Sequence, residues 1–316
     1  MSELRNQIVF EDVSKFYGEV LGVNQISLSI PPGITTLVGP NGSGKTTLMN
    51  LMTGLVQPSS GHVSVMGISP DDPVEFFRNV GYCTQFDSFP HGVAGREFIL
   101  DGLMLHGISK SEALRLTDEA LDRVQLGDAA SRKIAGYSKG MRQKIRLAQA
   151  IAHHPRVLVL DEPLNGLDPM ARSESIALFE ELGRQGMHLV ISSHILDEVD
   201  RISDRIVLIT GGYLIAEGNI QQVRQEVRET PMQVLIRCEH PELLASKMFA
   251  LNHCVEARLH TDGGGVFLRT GDIDEFYSIL NKIAADGLVK IEAVAPADDD
   301  ANAIYQYLIG SEGSES

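Results

Sequence analysis

The period of the apolar positions changes along this chain, and the changes mark its parts. Ile8-Val9-Phe10 and Ile26-Ser27-Leu28-Ser29-Ile30 read as early strands, the second alternating cleanly and so predicted to bury one face. Ile34-Thr35-Thr36-Leu37-Val38 is a β-branched strand run, and Thr46-Thr47-Leu48-Met49-Asn50-Leu51-Met52 soon after it is helix-like. Residues 62–67 alternate as a short strand, and Val80-Gly81-Tyr82-Cys83-Thr84 is another that ends at Gln85. From about Val93 to His153 the period is helical. Ser109-Lys110-Ser111-Glu112 has the form of a capping box, opening a helix with Ala113, Leu116, Ala120, Leu121 and Val124 on one face. Ser138 is a natural N-cap for a helix carrying Ile145, Leu147, Ala148 and Ile151.

Strands then return. Val157-Leu158-Val159-Leu160 shows no alternation, which predicts burial on both faces and a central, parallel position. The turn Asn165-Gly166-Leu167-Asp168-Pro169 leads into a helix, and Met187-His188-Leu189-Val190-Ile191 is a second buried strand, running to His194. Two short runs around Gly211-Gly212 predict a hairpin that closes the domain near Gly218. Residues 219–231 read as a helical connector. The tail then runs strand, helix, strand, strand, helix, strand, the ferredoxin-like order, with a closing helix over 299–309. The prediction is an α/β domain over 1–218 with an all-helical lobe at about 86–153, a linker over 219–231, and a small α+β ferredoxin-like domain over 232–316.

Chemistry concentrates at strand ends. Gly39-Pro40-Asn41-Gly42-Ser43-Gly44-Lys45-Thr46 fits G-x-x-x-x-G-K-[ST] between a strand and a helix, the context in which that pattern makes a phosphate cradle. Gly39, Gly42 and Gly44 free the backbone to turn its N–H groups inward. The helix N-terminus adds partial positive charge, Lys45 a full one, and Thr46 a hydroxyl for a Mg²⁺ bound with the nucleotide. A glycine-rich turn before an ordinary helix is the plain alternative, but the flanks favour the cradle, so the chain is expected to bind a nucleoside triphosphate. Asp161 and Glu162 follow the doubly buried strand, at the sheet edge where ligands sit. Either they are solvated strand caps, or one holds Mg²⁺ through water while the other orients or deprotonates an attacking water. His194 is structural or a donor to a terminal phosphate. Tyr17 packs in a turn or stacks on a nucleobase.

Charge and cysteine content narrow the classes. A formal net charge of -15 argues against nucleic acid as partner, although Arg132, Lys133, Lys139, Arg142, Lys144 and Arg146 form one basic cluster. Cys83, Cys238 and Cys254 make neither a ligand pattern nor an even disulfide set, which suits a reducing cytoplasm. No apolar run approaches the ~18 residues of a membrane span, and no signal-peptide pattern opens the chain, so it is not expected to be a membrane channel itself.

Over residues from about 8 to 218 these motifs, in order and spacing, resemble the ATP-binding cassette family. The resemblance makes Tyr17 the residue that stacks on adenine, and Gly39, Asn41, Gly42, Ser43, Gly44, Lys45, Thr46 and Thr47 the Walker A contacts to ATP. It makes Gln85 the Q-loop residue, a metal ligand and, with Lys45, part of the catalytic set, and Asp161 the Walker B acid that with Thr46 and Gln85 holds Mg²⁺. Glu162 becomes the catalytic base, Asp168 the D-loop acid and His194 the switch histidine. Tyr137-Ser138-Lys139-Gly140-Met141 lies where the signature Leu-Ser-Gly-Gly-Gln is expected, keeping Ser138 and Gly140 to face a γ-phosphate. The wording around it resembles the cassettes that drive separate type-2 exporter permeases. The resemblance implies a homodimer or paired cassettes, head to tail, each ATP clamped between one Walker A and the other chain's Ser138. It implies a peripheral place on the inner face of the membrane, through an integral-membrane permease. The alternative is a soluble cassette ATPase acting on a ribosome or a DNA-associated partner, which usually carries two cassettes or a long coiled coil.

Overall fold

The computed structural model describes residues 6–86, 88–193, 202–203, 205–219, 232–251 and 253–296. Contacts divide the chain into two units, Met1–Gly218 and Asn219–Ser316.

The strands of the first unit are β1 (Ile8–Tyr17), β2 (Val20–Ile30), β3 (Ile34–Val38), β4 (Ser60–Val65), β5 (Val80–Cys83), β6 (Val157–Leu160), β7 (His188–Ser193), β8 (Arg205–Thr210) and β9 (Tyr213–Asn219). Its helices are α1 (Lys45–Met52), α2 (Pro73–Asn79), α3 (Gly95–Leu105), α4 (Lys110–Arg123), α5 (Lys139–Ile151) and α6 (Pro169–Arg184). Strands β2, β1 and β4 form an antiparallel sheet in that order. The second sheet runs β5-β6-β7-β3-β8-β9, and β5 to β8 pair in parallel.

Parallel pairing sends the C-terminal ends of β3, β5, β6 and β7 to one edge, which gathers the loops after Val38, Cys83 and Leu160. The unalternating sequence of β6 is explained by its neighbours on both sides. Leu158 and Leu160 enter the core shared with the helical lobe, while Val157 and Val159 enter the core under α1 and the first sheet. Strand β7 divides likewise, Leu189 and Ile191 against Val190.

Two local expectations are corrected. Tyr17, for which a turn was one reading, continues β1 with Lys15 and Phe16, because β1 and β2 pair up to Tyr17 opposite Val20. Ser109 stands at the N-cap of α4 but makes no capping hydrogen bond there: its Oγ lies 3.3 Å from Ser111 Oγ, and Glu112 pairs with Arg115 at 2.6 Å. Helix α2 was not anticipated. Ser138 does cap α5, accepting from Met141 N at 3.2 Å.

The second unit contains β10 (Met232–Cys238), α7 (Pro241–Ala250), β11 (Glu256–Leu259), β12 (Gly265–Thr270), α8 (Ile273–Ala285) and β13 (Ile291–Pro296). Its sheet is antiparallel in the order β11-β12-β10-β13, and its core includes Val234, Ile236, Leu244, Met248, Leu268 and Phe276. His194, residues 220–231 and the helix expected over 299–309 lie outside the described residues.

Candidate active site

The loop between β3 and α1 is held by its surroundings before any ligand is considered. A Cβ on Gly39 would lie 2.1 Å from the Ile209 carbonyl oxygen, so glycine alone lets the loop lie against β8. Gly44 has φ 108°, and a Cβ there would sit 2.7 Å from the Gly22 carbonyl on β2. Gly212 N donates to Ser43 O at 2.9 Å, fixing the loop to the β8–β9 turn.

Lys45, at the first turn of α1, is 6% exposed and donates to the carbonyls of Gly39 at 2.6 Å and Pro40 at 3.0 Å. Burial pulls its ammonium below the ordinary lysine value, against the opposing pull of the Glu162 and Asp161 carboxylates. Ser43 Oγ is buried and without a hydrogen-bond partner, an orphaned hydroxyl that a phosphate oxygen would satisfy.

The acidic pair meets this loop from β6. Thr46 Oγ1 donates to Asp161 Oδ2 at 3.0 Å, and Ser192 Oγ, from β7, donates to Asp161 Oδ1 at 2.7 Å. Glu162 N in turn donates to Ser192 Oγ at 2.7 Å, so one hydroxyl holds both acids in register. Glu162 has φ 49°, a left-handed conformation that costs a non-glycine residue about 1–2 kcal/mol. That turn sends its side chain away from the strand direction and into the cleft that it lines.

A cleft of about 510 Å³ lies over these groups, lined by Tyr17, Val20, Leu21, Gly22, Asn41, Gly42, Ser43, Gly44, Lys45, Thr46, Thr47, Gln85 and Glu162. The volume suits a nucleotide, with loop amides and Lys45 at one end and the half-exposed Tyr17 ring among its lining. Among the described residues no cluster of three acidic, His or Cys side chains could cage a cation. Thr46 and Asp161 do offer paired oxygens, the donor set of a Mg²⁺ that keeps its remaining ligands from water and substrate phosphate.

Ser138, Gly140 and Asp168 are not at this cleft. They line a second one, of about 340 Å³, with Met141, Met170, Ala171 and Glu174, and it shares no residue with the first. Asp168 Oδ1 caps α6 by accepting from Ala171 N at 2.9 Å. Sequence reasoning missed Ser192 and the Val20-Leu21-Gly22 wall. Gly22 carried a signal, since a glycine inside a strand marks close backbone approach: a Cβ there would lie 2.9 Å from Thr47 Cγ2.

A parallel sheet with a glycine cradle after β3 and an acidic pair after β6 defines a phosphate-loop nucleoside triphosphatase. Residues 23–165 match the ABC transporter family. The chain is 31% identical to the bacitracin transport ATP-binding protein BcrA of Enterococcus faecalis, covering 96% of each chain. It is 37% identical to the Nod factor export ATP-binding protein I of Burkholderia orbicola (strain AU 1054), over 67% of this chain and 70% of that one. A solved ATP-binding subunit of an ABC transporter superposes with a TM-score of 0.64 at 26% identity, covering 70% of this chain and 93% of the other. The chain belongs to the ABC transporter family, as an ATP-binding subunit with ATPase activity.

Proposed function

We propose that this subunit powers export through a separate membrane permease, by ATP-driven closure of two cassettes. The observation that carries the reading is the separation of Ser138 and Gly140 from the phosphate loop, in a cleft of their own. One chain covers only one side of a bound triphosphate. A second chain, placed head to tail, brings its Ser138 hydroxyl and Gly140 N–H to the other side, and a two-fold pair makes two such sites.

Within each site Tyr17 stacks on the base, while Lys45 and the amides of residues 39–47, Asn41 among them, bind the phosphates. Thr46 and Asp161 hold Mg²⁺, with Gln85 beside it; the ion, when bound, offsets charge on the phosphate oxygens. Glu162 accepts a proton from the attacking water, His194 donates to the γ-phosphate, and Asp168 lies at the seam between the two chains. The bacitracin transport and Nod factor export relatives support the exporter assignment. The net charge of -15 disfavours the ribosome or DNA alternative, and within the one basic cluster Lys144 is paired with Glu174 at 2.8 Å. An apolar groove of Pro73, Val74, Phe77 and Leu105, on α2 and α3, suits a cytoplasmic helix of the permease. Among the described residues no helix is long and apolar enough to cross a membrane, so that path falls to the permease.

The test is Glu162→Gln. Hydrolysis should fall by about 10²–10⁴-fold while ATP binding survives, and the variant should elute as an ATP-dependent dimer on a sizing column. Asp161→Asn should instead weaken the Mg²⁺ dependence and give less dimer. A Glu162→Gln variant that turns over at the parent rate removes the assignment of the base, and one that is inactive yet monomeric at high ATP removes the head-to-tail pair.

A further inference from the structure

Gln85 lies two residues beyond the end of β5, so the sheet ladder does not set the direction of its side chain. A guanidinium from another element meets its main chain. Arg146 Nη1, on α5, donates to Gln85 O at 3.0 Å and Phe86 O at 2.5 Å. Its Nη2 donates to Gln143 Oε1, one turn back on the same helix. Gln143 is itself buried, and its Nε2 donates to Cys83 Sγ at 3.6 Å. Burial pushes the Cys83 thiol up to about 11, so this acceptor stays a neutral thiol at working pH. The Cys83 carbonyl accepts from Asp161 N at 2.9 Å, which brings the bracket back to the acidic pair.

The helix that carries Arg146 is fixed on β5. A Cβ on Gly81 would lie 2.2 Å from the Ala150 carbonyl, so glycine at 81 permits this approach, and α5 begins at Ser138 of the second cleft. We propose that Arg146 is a positioning residue for the hydrolytic reaction, holding the Gln85–Phe86 peptide so that the Gln85 side chain faces the nucleotide. Bonds from one nitrogen to two successive carbonyls restrain the peptide units on both sides of the Phe86 Cα, and so limit the backbone rotation that would re-aim the Gln85 Cα–Cβ bond. Because the fork grows from α5, the Gln85 main chain and the Ser138 N-cap are tied to the same helix. The inference rests on the reading of Gln85 given above.

The experiment uses the full chain and steady-state ATP hydrolysis for Arg146→Met, Arg146→Lys, Gln85→Ala and the double variant Arg146→Met with Gln85→Ala. Arg146→Met keeps length and stem packing but donates nothing. Its kcat should fall about tenfold, with KM for ATP within about twofold, since the phosphate loop is untouched. Arg146→Lys, which keeps a donor but not the fork, should fall between parent and Arg146→Met. Most telling is the double variant. If Arg146 acts through Gln85, adding Arg146→Met to Gln85→Ala should cost nothing further. Multiplicative losses in the double variant would overturn the proposal, as would a raised KM at unchanged kcat. Gln85→Ala at the parent rate removes Gln85 from the chemistry and takes both readings with it. A loss in Gln85→Ala with none in Arg146→Met removes this one alone. Should Arg146→Met fail to fold, Arg146→Lys carries the same cycle.

Discussion

At the scale of single residues, the phosphate loop separates charge from shape. Lys45 is buried with its ammonium bound by two loop carbonyls, so Lys45→Ala removes both a cation for the phosphates and a brace within the loop. ATP affinity should fall by about 1.5–3 kcal/mol, roughly ten- to hundredfold in Kd, as an equilibrium titration would read. Tyr17→Ala should cost less, about 0.5–1.5 kcal/mol, and should lessen the preference for adenine over other bases. An unchanged Kd in Lys45→Ala would sink the phosphate-loop assignment. Ser192 is the finer test. Its hydroxyl donates to Asp161 and accepts from Glu162 N, so Ser192→Ala loosens both acids without touching the loop. We expect kcat to fall by about tenfold or more and ATP affinity to stay within about twofold. Equal kcat in Ser192→Ala would show that the acids hold their places unaided. The sequence made Lys45, Thr46 and the Asp161-Glu162 pair legible because their spacing is local and the flanking strands are strongly apolar. Ser192 was not legible as a partner, because its place beside Asp161 depends on the pairing of β6 with β7, thirty-odd residues apart in the chain.

At the scale of elements, strand order decides what sequence patterns leave open. The apolar runs of β6 and β7 predicted burial on both faces, and the structure agrees because each strand divides alternate residues between two cores. The capping box at Ser109 was misread: its Oγ lies beside Ser111 Oγ, and Glu112 pairs with Arg115. Where α3 ends against the end of α5, His106 and His153 stack with ring centroids 4.5 Å apart, a contact between distant parts of the sequence. His153 also bonds the Val80 carbonyl at 3.2 Å. Burial first, and the neighbouring His106 second, lower the His153 pKa to about 4. The sign follows: below about 6.5 the unfolded chain takes a proton that folded His153 refuses, so stability is lost as pH falls towards 4. Between pH 7 and pH 5 this one group should cost about 2 kcal/mol of unfolding free energy. Urea melts at the two pH values should show that loss in the parent and much less of it in His153→Phe, which keeps the stacked ring. An equal pH dependence in both proteins would refute it.

At the scale of the whole molecule, the two units differ in what they contribute to the nucleotide cleft. Every described residue that lines it belongs to the first unit. The second unit has its own core, of Val234, Ile236, Leu244, Met248, Val266 and Phe276 among others, and its element order was legible in the spacing of its apolar runs. No described residue of the second unit lines the cleft, so the location of the cut becomes informative. The β8–β9 hairpin must stay with the first unit: Ile209 O walls Gly39, and Gly212 N donates to Ser43 O. A chain ending after Asn219 keeps both braces and should bind ATP with a Kd within about twofold of the full protein, because both cores of the first unit are intact. A chain ending at residue 204 lacks β8 and β9, which leaves β3 an open sheet edge and the loop unbraced. That shorter chain should lose ATP binding by more than about a hundredfold, or fail to stay in solution. Titration of both chains with a fluorescent ATP analogue, beside a circular-dichroism melt, separates lost binding from lost folding. If the chain ending after Asn219 melts cooperatively and yet does not bind ATP, residues beyond 219 complete the cleft, and the assignment of nucleotide binding to the first unit alone is wrong.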